Sequence, residues 1–268
     1  MTPRTPIPST RPLRWLAAML ASSAVLCASA GAQGPPLPSA PSAAPEPTVV
    51  LSTGSVTLRT HSVGLLGHAL VFTGLALDSR AGHEVIIQRY RPASHSWVNA
   101  AGTQVKAHGA FKARWVTNLS GRVLIRALVT APGSARVASS ESSPPARITI
   151  YRPSLATYFG AGFYDKQTAC GQVLTPFTLG VANRTLPCGT LVDVSYGGRH
   201  LTVPVIDRGP YANGANWDLT EATAQALEIT ETARIGTLLV GRAANTPNLG
   251  LPPGVTPAVL TATGGTAA

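Results

Sequence analysis

Cysteine and metal-binding patterns are scarce in this chain. It has three cysteines among 268 residues, and its six histidines show no metal-ligand spacing. Five histidines fall in one segment and are interpreted as surface or turn residues: His61, His68, His83, His95 and His108. Because metal sites normally need three or four ligands, the sequence predicts no metal site, and nothing in it calls for another cofactor.

The chain also lacks a long hydrophobic run. Residues 1–14 contain three arginines and no acid, and the apolar run at 15–30 is short for a stable membrane span. Small residues follow, which is the pattern of a secretory signal cleaved near Ala30 or Ala32. We therefore predict a signal peptide over residues 1–32 and a protein secreted to the cell wall or periplasm.

Lipidation is the alternative for Cys27, which lies inside this signal. Lipoprotein signals place a small residue directly before the cysteine, whereas Leu26 stands there. Export without a lipid anchor is the favoured prediction.

Export leaves one pair of cysteines, Cys170 and Cys188. An even pair in an exported chain predicts one disulfide. The alternatives are a metal pair or a thiol nucleophile. Neither has the partners it needs, since His200 is the only histidine in the surrounding region.

Acidic residues are few, and the basic excess is uneven. Lys plus Arg against Asp plus Glu is 3 to 0 in residues 1–32, 11 to 4 in 33–150 and 7 to 7 in 151–242. The middle segment should be attracted to polyanions such as anionic wall polymers. A cationic surface that serves only solubility is the alternative. Nucleic acid is not expected as a partner, because no clustered basic run or nucleic-acid motif occurs.

The middle of the chain predicts a β-sandwich. Residues 33–47 are almost entirely Pro, Ala and Ser, which predicts a linker. Residues 48–151 then alternate about seven short β-like runs with turns, and this number of strands in about a hundred residues is typical of a β-sandwich. Trp97, Phe111 and Trp115 are its predicted core residues, and carbohydrate binding is the alternative role for these aromatics.

A hinge at 152–153 is predicted to open a second, mostly β domain over residues 155–242. Short strands and glycine turns dominate it, and only 219–227 reads as helix. Residues 243–268 contain no charge and consist mainly of Ala, Thr, Gly and Pro, which predicts a disordered tail.

Two carboxylates in this second domain are the leading candidates for chemistry. The apolar run 203–206 delivers Asp207 to a strand end, where Gly209-Pro210 turns the chain. The loop that follows could return Asp218 toward it, and two carboxylates facing one groove are the arrangement of sugar-cleaving sites. The structural alternatives are a loop carboxylate that accepts main-chain N–H bonds for Asp207 and a helix N-cap for Asp218.

The order and spacing of five motifs resemble the rare lipoprotein A family. These are double-psi β-barrel proteins of the bacterial envelope, related to expansins. The resemblance covers about residues 155–241, and the motifs are specific as a set: ATYFG at 156–160, TACG at 168–171, NRTLPCGT at 183–190, VIDRGPY at 205–211 and WDLT at 217–220. The preceding segment resembles a bacterial immunoglobulin-like domain in pattern only.

This resemblance implies a six-stranded double-psi β-barrel with a surface groove that cleaves peptidoglycan glycan strands as a lytic transglycosylase, a lyase. Asp207 matches the family's catalytic aspartate, and Asp218 matches an aspartate that expansins also carry. An acid protonates the glycosidic oxygen, and the same carboxylate can then accept the proton of the sugar's own 6-hydroxyl, which closes a 1,6-anhydro ring. Asp207 is the predicted acid and base, and Asp218 is predicted to support it.

Two residues depart from the family pattern. Gln172 stands where active members have glutamate, and Asn183 stands where they have histidine. An amide keeps hydrogen bonding but cannot titrate, so both residues are predicted to bind substrate in the groove rather than transfer protons.

Four more residues complete the predicted substrate-binding set. Tyr158, Tyr211 and Trp217 could stack on sugar rings or pack against the barrel. Arg208 would weaken Asp207 as an acid if its guanidinium approached, although neighbouring side chains in a strand point to opposite faces. An enzyme is favoured slightly over a non-catalytic, expansin-like wall-binding module, and a scaffolding role is the third hypothesis.

Overall fold

The computed structural model describes residues 48–52, 55–131, 141–211 and 214–255. The predicted signal peptide, the linker and residues 256–268 lie outside these ranges. The first strands are β1 (Thr48–Ser52), β2 (Val56–His61), β3 (Val63–Leu65), β4 (Ala69–Ala76), β5 (Glu84–Arg91), β6 (Ser96–Gln104), β7 (Ala110–Val116), β8 (Gly121–Thr130) and β9 (Glu141–Ser142). The remaining elements are β10 (Ala146–Phe159), β11 (Val181–Ala182), β12 (Thr190–Tyr196), β13 (Arg199–Asp207), β14 (Trp217–Thr220), α1 (Glu221–Ala226) and β15 (Ala233–Arg242).

Two sheets share one apolar core in the first half of the described chain. One has the order β1-β2-β4-β7, and the other runs β10-β8-β5-β6 with β3 and β9 at its margins. Alternation explains the burial of β7: Phe111, Ala113 and Trp115 are buried, whereas Lys112 and Arg114 are exposed. The predicted core positions of Phe111 and Trp115 are confirmed. The immunoglobulin-like assignment stays a prediction.

Trp97 does not join that core, contrary to the sequence prediction. It lies on the opposite, outward face of the second sheet, where its ring contacts Tyr90 edge to face and Arg126 stacks over it. The core on the inner face is filled by β-branched and small residues such as Val85, Ile87 and Ile125. The strand register, which pairs Trp97 with Tyr90, places the indole on this outward face.

Strand β10 runs without a break through the predicted hinge. Its first part pairs with β8 as far as Ile150, and its second part pairs with β15 from Arg152 onward. Pro153 lacks a main-chain N–H but follows directly after this change of partner, so the strand tolerates it. A single strand thus belongs to both halves of the chain.

The second half is a closed six-stranded barrel, as predicted. Its strands follow the order β14-β11-β13-β12-β15-β10, and β10 pairs back with β14. Apolar side chains fill the interior, among them Val192, Val194, Val203, Val205, Leu219 and Ile235. The helix is shorter than predicted, and its N-cap is Thr220, whose Oγ1 accepts a hydrogen bond from the Thr223 N–H. Asp218 is therefore a strand residue and not the cap.

A buried hydrogen bond ties the shared strand to the barrel wall. Tyr151 of β10 lies against Gly236, and its hydroxyl donates to Oδ2 of Asp193 at 3.0 Å. Nδ1 of His200 lies 3.4 Å from the other carboxylate oxygen. A Cβ at residue 236 would approach the Tyr151 Cβ to 2.7 Å, so this contact requires glycine.

Removal of this hydroxyl should destabilise the fold. Tyr151→Phe leaves a buried carboxylate oxygen without its donor, and we expect a loss of about 1–3 kcal/mol in the free energy of unfolding. Urea unfolding measures it. Tyr196→Phe is the control, because the Tyr196 hydroxyl has no hydrogen-bond partner within the described ranges. Equal losses in both variants would contradict the proposed tie.

Residues 243–251 pack on the barrel, so the predicted tail begins too early. The Ala243 N–H donates to the Gly189 carbonyl at 2.8 Å, and the Leu179 N–H donates to that of Gly250 at 2.7 Å. An uncharged segment can remain ordered because main-chain groups supply these bonds. Among the described residues, no helix has the length and hydropathy needed to cross a bilayer.

Candidate functional site

Four residues on neighbouring strands form the floor of one cleft. The strand register places Thr157 beside Asp218, Asp218 beside Ala182, and Ala182 beside Asp207. All four line a cavity of about 450 Å³. Strand spacing puts the two aspartate Cα atoms about 10 Å apart. The small alanine between them leaves room above the floor, and both carboxylates open into the same cleft, as predicted.

Main-chain N–H groups hold Asp207 in place. Oδ1 accepts hydrogen bonds from the Ala169 and Arg208 N–H groups, both at 2.8 Å. The Ala169 donor belongs to a loop that is fixed by the predicted disulfide between Cys170 and Cys188, which the structure contains. Oδ2 has no hydrogen-bond partner within the described chain. Asp207 therefore accepts main-chain N–H bonds, as the structural alternative predicted, and it also lies in the cleft.

Asp218 is a partly buried carboxylate. Burial raises the pKa of Asp218 above its ordinary value, the Thr157 hydrogen bond opposes that shift, and the negative charge of Asp207 adds to it. Thr157 Oγ1 donates to Asp218 Oδ1 at 2.7 Å. The protonated form of Asp218, which can donate a proton, is thus favoured relative to an exposed aspartate.

The raised pKa of Asp218 has a consequence for stability. The folded protein holds the Asp218 proton more tightly than the unfolded chain, so this group destabilises the fold increasingly as the pH rises above 3.8. Asp218→Asn removes that penalty. We expect the variant to gain stability over the native protein between pH 4 and pH 7, measured as urea midpoints at several pH values. A stability difference between Asp218→Asn and the native protein that shrinks as the pH rises would contradict a raised pKa for Asp218.

Three other predicted residues also line the cleft. Tyr158 and Tyr211 are 43% and 79% exposed, and the Tyr158 hydroxyl donates to the Thr230 carbonyl at 3.1 Å. Arg208 directs Nη1 to the main-chain oxygens of Asn183 and Asp207. No ion pair joins this guanidinium to the Asp207 carboxylate within the described chain. Sugar contact by the two tyrosines stays a prediction.

Gln172 does not line the cleft, so its predicted role is wrong. It is 1% exposed, and its Nε2 donates to Asn245 Oδ1 at 2.7 Å and to the Thr246 carbonyl at 2.8 Å. Oε1 accepts from the Thr168 hydroxyl at 3.3 Å. The amide therefore joins the segment after β15 to the loop behind Asp207.

Asn183 and Trp217 also lie away from the cleft lining. Asn183 Oδ1 accepts from the Thr185 and Leu186 N–H groups, which makes it the first residue of a local turn. Trp217 is 6% exposed and packs in the barrel core, on the face of β14 opposite Asp218. Both were predicted to bind substrate, but neither side chain lines this cleft, and Trp217 packs against the barrel as its alternative reading expected.

Thr157 and Phe163 are among the cleft residues that the sequence prediction missed. Thr157 lies within the ATYFG motif, but its significance depends on the pairing of β10 with β14. Phe163 is 56% exposed on the loop after β10, and no sequence pattern singled it out. The Tyr164 hydroxyl anchors this loop by donating to Glu221 Oε2 at 2.5 Å. Burial raises the pKa of Tyr164 to about 12, and this hydrogen bond and the charge of Glu221 add to the shift.

Metal ligands are not gathered anywhere in the part of the chain that the structure describes. No group of three or more His, Cys, Asp and Glu side chains lies close enough to hold an ion.

Comparison with known proteins matches the barrel domain. Residues 155–240 match the family model described as lytic transglycolase. A Synechocystis protein named probable endolytic peptidoglycan transglycosylase RlpA is 35% identical over 113 residues, 41% of this chain and 35% of the relative. An Aquifex aeolicus protein of the same name is 38% identical over 79 residues, 29% of this chain and 35% of the relative.

A Campylobacter jejuni protein named endolytic peptidoglycan transglycosylase RlpA is 34% identical over 77 residues, 28% of either chain. The chain thus spans about a third of the length of these relatives. The matched region coincides with the closed barrel and contains both cleft aspartates. Residues 155–240 are therefore an RlpA-like double-psi β-barrel domain.

Proposed function

We propose that this chain is an exported, peptidoglycan-active protein that cleaves glycan strands as a lytic transglycosylase. The observation that carries the proposal is the pair Asp207 and Asp218, which open into one cleft on either side of Ala182. The names of the relatives support the substrate class. The N-terminal signal pattern supports secretion to the cell wall or periplasm.

We assign the two proton transfers to different carboxylates. Asp218, whose pKa is raised, donates a proton to the glycosidic oxygen as the bond from that oxygen to C1 breaks. The 6-hydroxyl of the sugar that contains this C1 attacks C1 and loses its proton to Asp207, which closes the 1,6-anhydro ring. The proton then returns from Asp207 to Asp218 through solvent, so that no water is consumed.

Product analysis tests this function. The purified protein from residue 33 onward is incubated with peptidoglycan and, in parallel, with glycan strands stripped of stem peptides. We expect muropeptides or sugars ending in 1,6-anhydro rings by mass spectrometry. Products with ordinary reducing ends would indicate hydrolysis, and an absence of both product types would remove the enzymatic assignment.

A non-catalytic, expansin-like wall-binding module is the second candidate. The observation that favours it is the structural use of the amides at 172 and 183, where active family members carry ionisable residues. The cleft then relies on two carboxylates alone. Retention on insoluble wall material without any released product would support this candidate over the enzyme.

A further inference from the structure

The outward face of the second sheet carries an arginine–tryptophan platform. We use this name for Arg126 on β8, Gln88 and Tyr90 on β5, and Trp97 and Asn99 on β6. The register pairs Gln88 with both Asn99 and Arg126, and Tyr90 with Trp97, so the five residues occupy two adjacent rows. The opposite face of the same strands fills the core.

Contacts within the platform fix the guanidinium of Arg126. Its Cζ lies 4.3 Å from the centre of the Trp97 ring, and its Nε donates to Gln88 Oε1 at 3.0 Å. Gln88 Nε2 in turn donates to Asn99 Oδ1 at 3.0 Å. Tyr90 meets the indole edge to face, with ring centres 5.4 Å apart. A long side chain held by stacking and a hydrogen bond loses little further entropy when it binds a ligand.

The outer edge of this guanidinium is unused. Nη1 and Nη2 of Arg126 have no hydrogen-bond or ionic partner within the described chain. Two parallel N–H donors in a plane match the two oxygens of a carboxylate. Arg126 therefore presents a fork of fixed orientation to solvent.

Two further arginines flank Arg126 on this face. Arg147 on β10 pairs with Leu124, the outward residue next to Arg126 along β8, and Arg122 is the outward residue beyond it. Both arginines are exposed, and neither has a carboxylate partner within the described ranges. Electrostatic attraction thus favours an anionic polymer on this face.

We propose that the platform binds the stem-peptide carboxylates of peptidoglycan, with Arg126 as the bidentate contact and Arg122 and Arg147 as flanking charges. This inference rests on the proposed function for the identity of the polymer, because peptidoglycan carries its carboxylates on the stem peptides. The platform lies on the sandwich and the cleft on the barrel, so binding to the platform is separable from cleavage.

Sedimentation with insoluble peptidoglycan tests the platform at about 0.15 M salt, where long-range attraction is screened. Intact peptidoglycan is compared with peptidoglycan whose stem peptides an amidase has removed. Arg126→Gln and Arg126→Lys should each raise the apparent Kd for the intact material about tenfold. The Lys variant keeps the charge and loses the fork. Arg114→Gln, an exposed arginine of β7 on the other sheet, is the charge-matched control and should bind as the native protein does.

Several results would overturn the proposal. One is native affinity in Arg126→Lys, which would show that charge without the fork is sufficient. Another is an equal loss in Arg114→Gln. A third is binding by the native protein that persists after the stem peptides are removed. A fourth is binding that a soluble phosphate-rich wall polymer or RNA abolishes while removal of the stem peptides has no effect. The assay needs no turnover, so a protein that fails to cleave glycan can still confirm the platform.

Discussion

Asp207→Asn and Asp218→Asn should each release anhydro-ended products at least about 100-fold more slowly than the native chain. Each substitution keeps the shape of the side chain and removes its capacity to exchange a proton. Asp207→Asn also loses acceptor strength toward the Ala169 and Arg208 N–H groups, whereas Asp218→Asn can keep the Thr157 hydrogen bond. Rates are measured on isolated glycan strands by mass spectrometry.

The pH profile separates the two roles. The native rate should fall as the pH rises through the pKa of Asp218, because the proton donor is lost. Asp218→Asn should lack this alkaline limb in whatever activity remains. Asp165→Asn is the matched control, an exposed aspartate outside the cleft, and should keep the native rate and profile. Full activity in Asp218→Asn would assign both proton transfers to Asp207.

The disulfide should make the second large contribution, this time to stability. Cys170 and Cys188 are 18 positions apart, and the chain-entropy relation gives about 3 kcal/mol for a loop of that size. We expect Cys170→Ser combined with Cys188→Ser to lose about that amount in urea unfolding. Dithiothreitol should lower the native midpoint toward that of the double variant and leave the variant itself unchanged.

Loss of the disulfide should also affect the cleft. Ala169, the neighbour of Cys170, donates to the Asp207 carboxylate, and Arg208 Nη2 lies 3.3 Å from the Cys188 sulfur. A loosened loop would move the donor that orients Asp207, so the rate of product formation should fall even where the variant stays folded. A variant that unfolds earlier but cleaves at the native rate would show that Asp207 does not depend on this loop.

The strands and the aspartate pair were predictable because each has a local signature. The run ending at Asp207 is apolar up to the aspartate, and the WDLT motif places Asp218 shortly before a helix. Their meeting in one cleft followed from a specific set of motifs. Thr157 joined them only through the pairing of β10 with β14, which no local pattern encodes.

The amides and the indoles were harder to place. Gln172 and Asn183 can satisfy a sugar hydroxyl or a main-chain group equally well, and their actual partners include residues as distant in sequence as Asn245. Trp97 was predicted in the core but lies on the outward face of the sandwich, whereas Trp217 was predicted in the groove but lies inside the barrel. Burial of an aromatic depends on which face of its strand meets a second layer.

The continuous strand β10 makes the two halves of the molecule inseparable by simple truncation. A cut before residue 146 deprives β8 of the second sheet of its partner β10, and a cut after Phe159 removes β10 from the barrel fragment. Any break between these points leaves two incomplete remnants. Mechanical load applied to either half is therefore carried directly by the covalent backbone into the other.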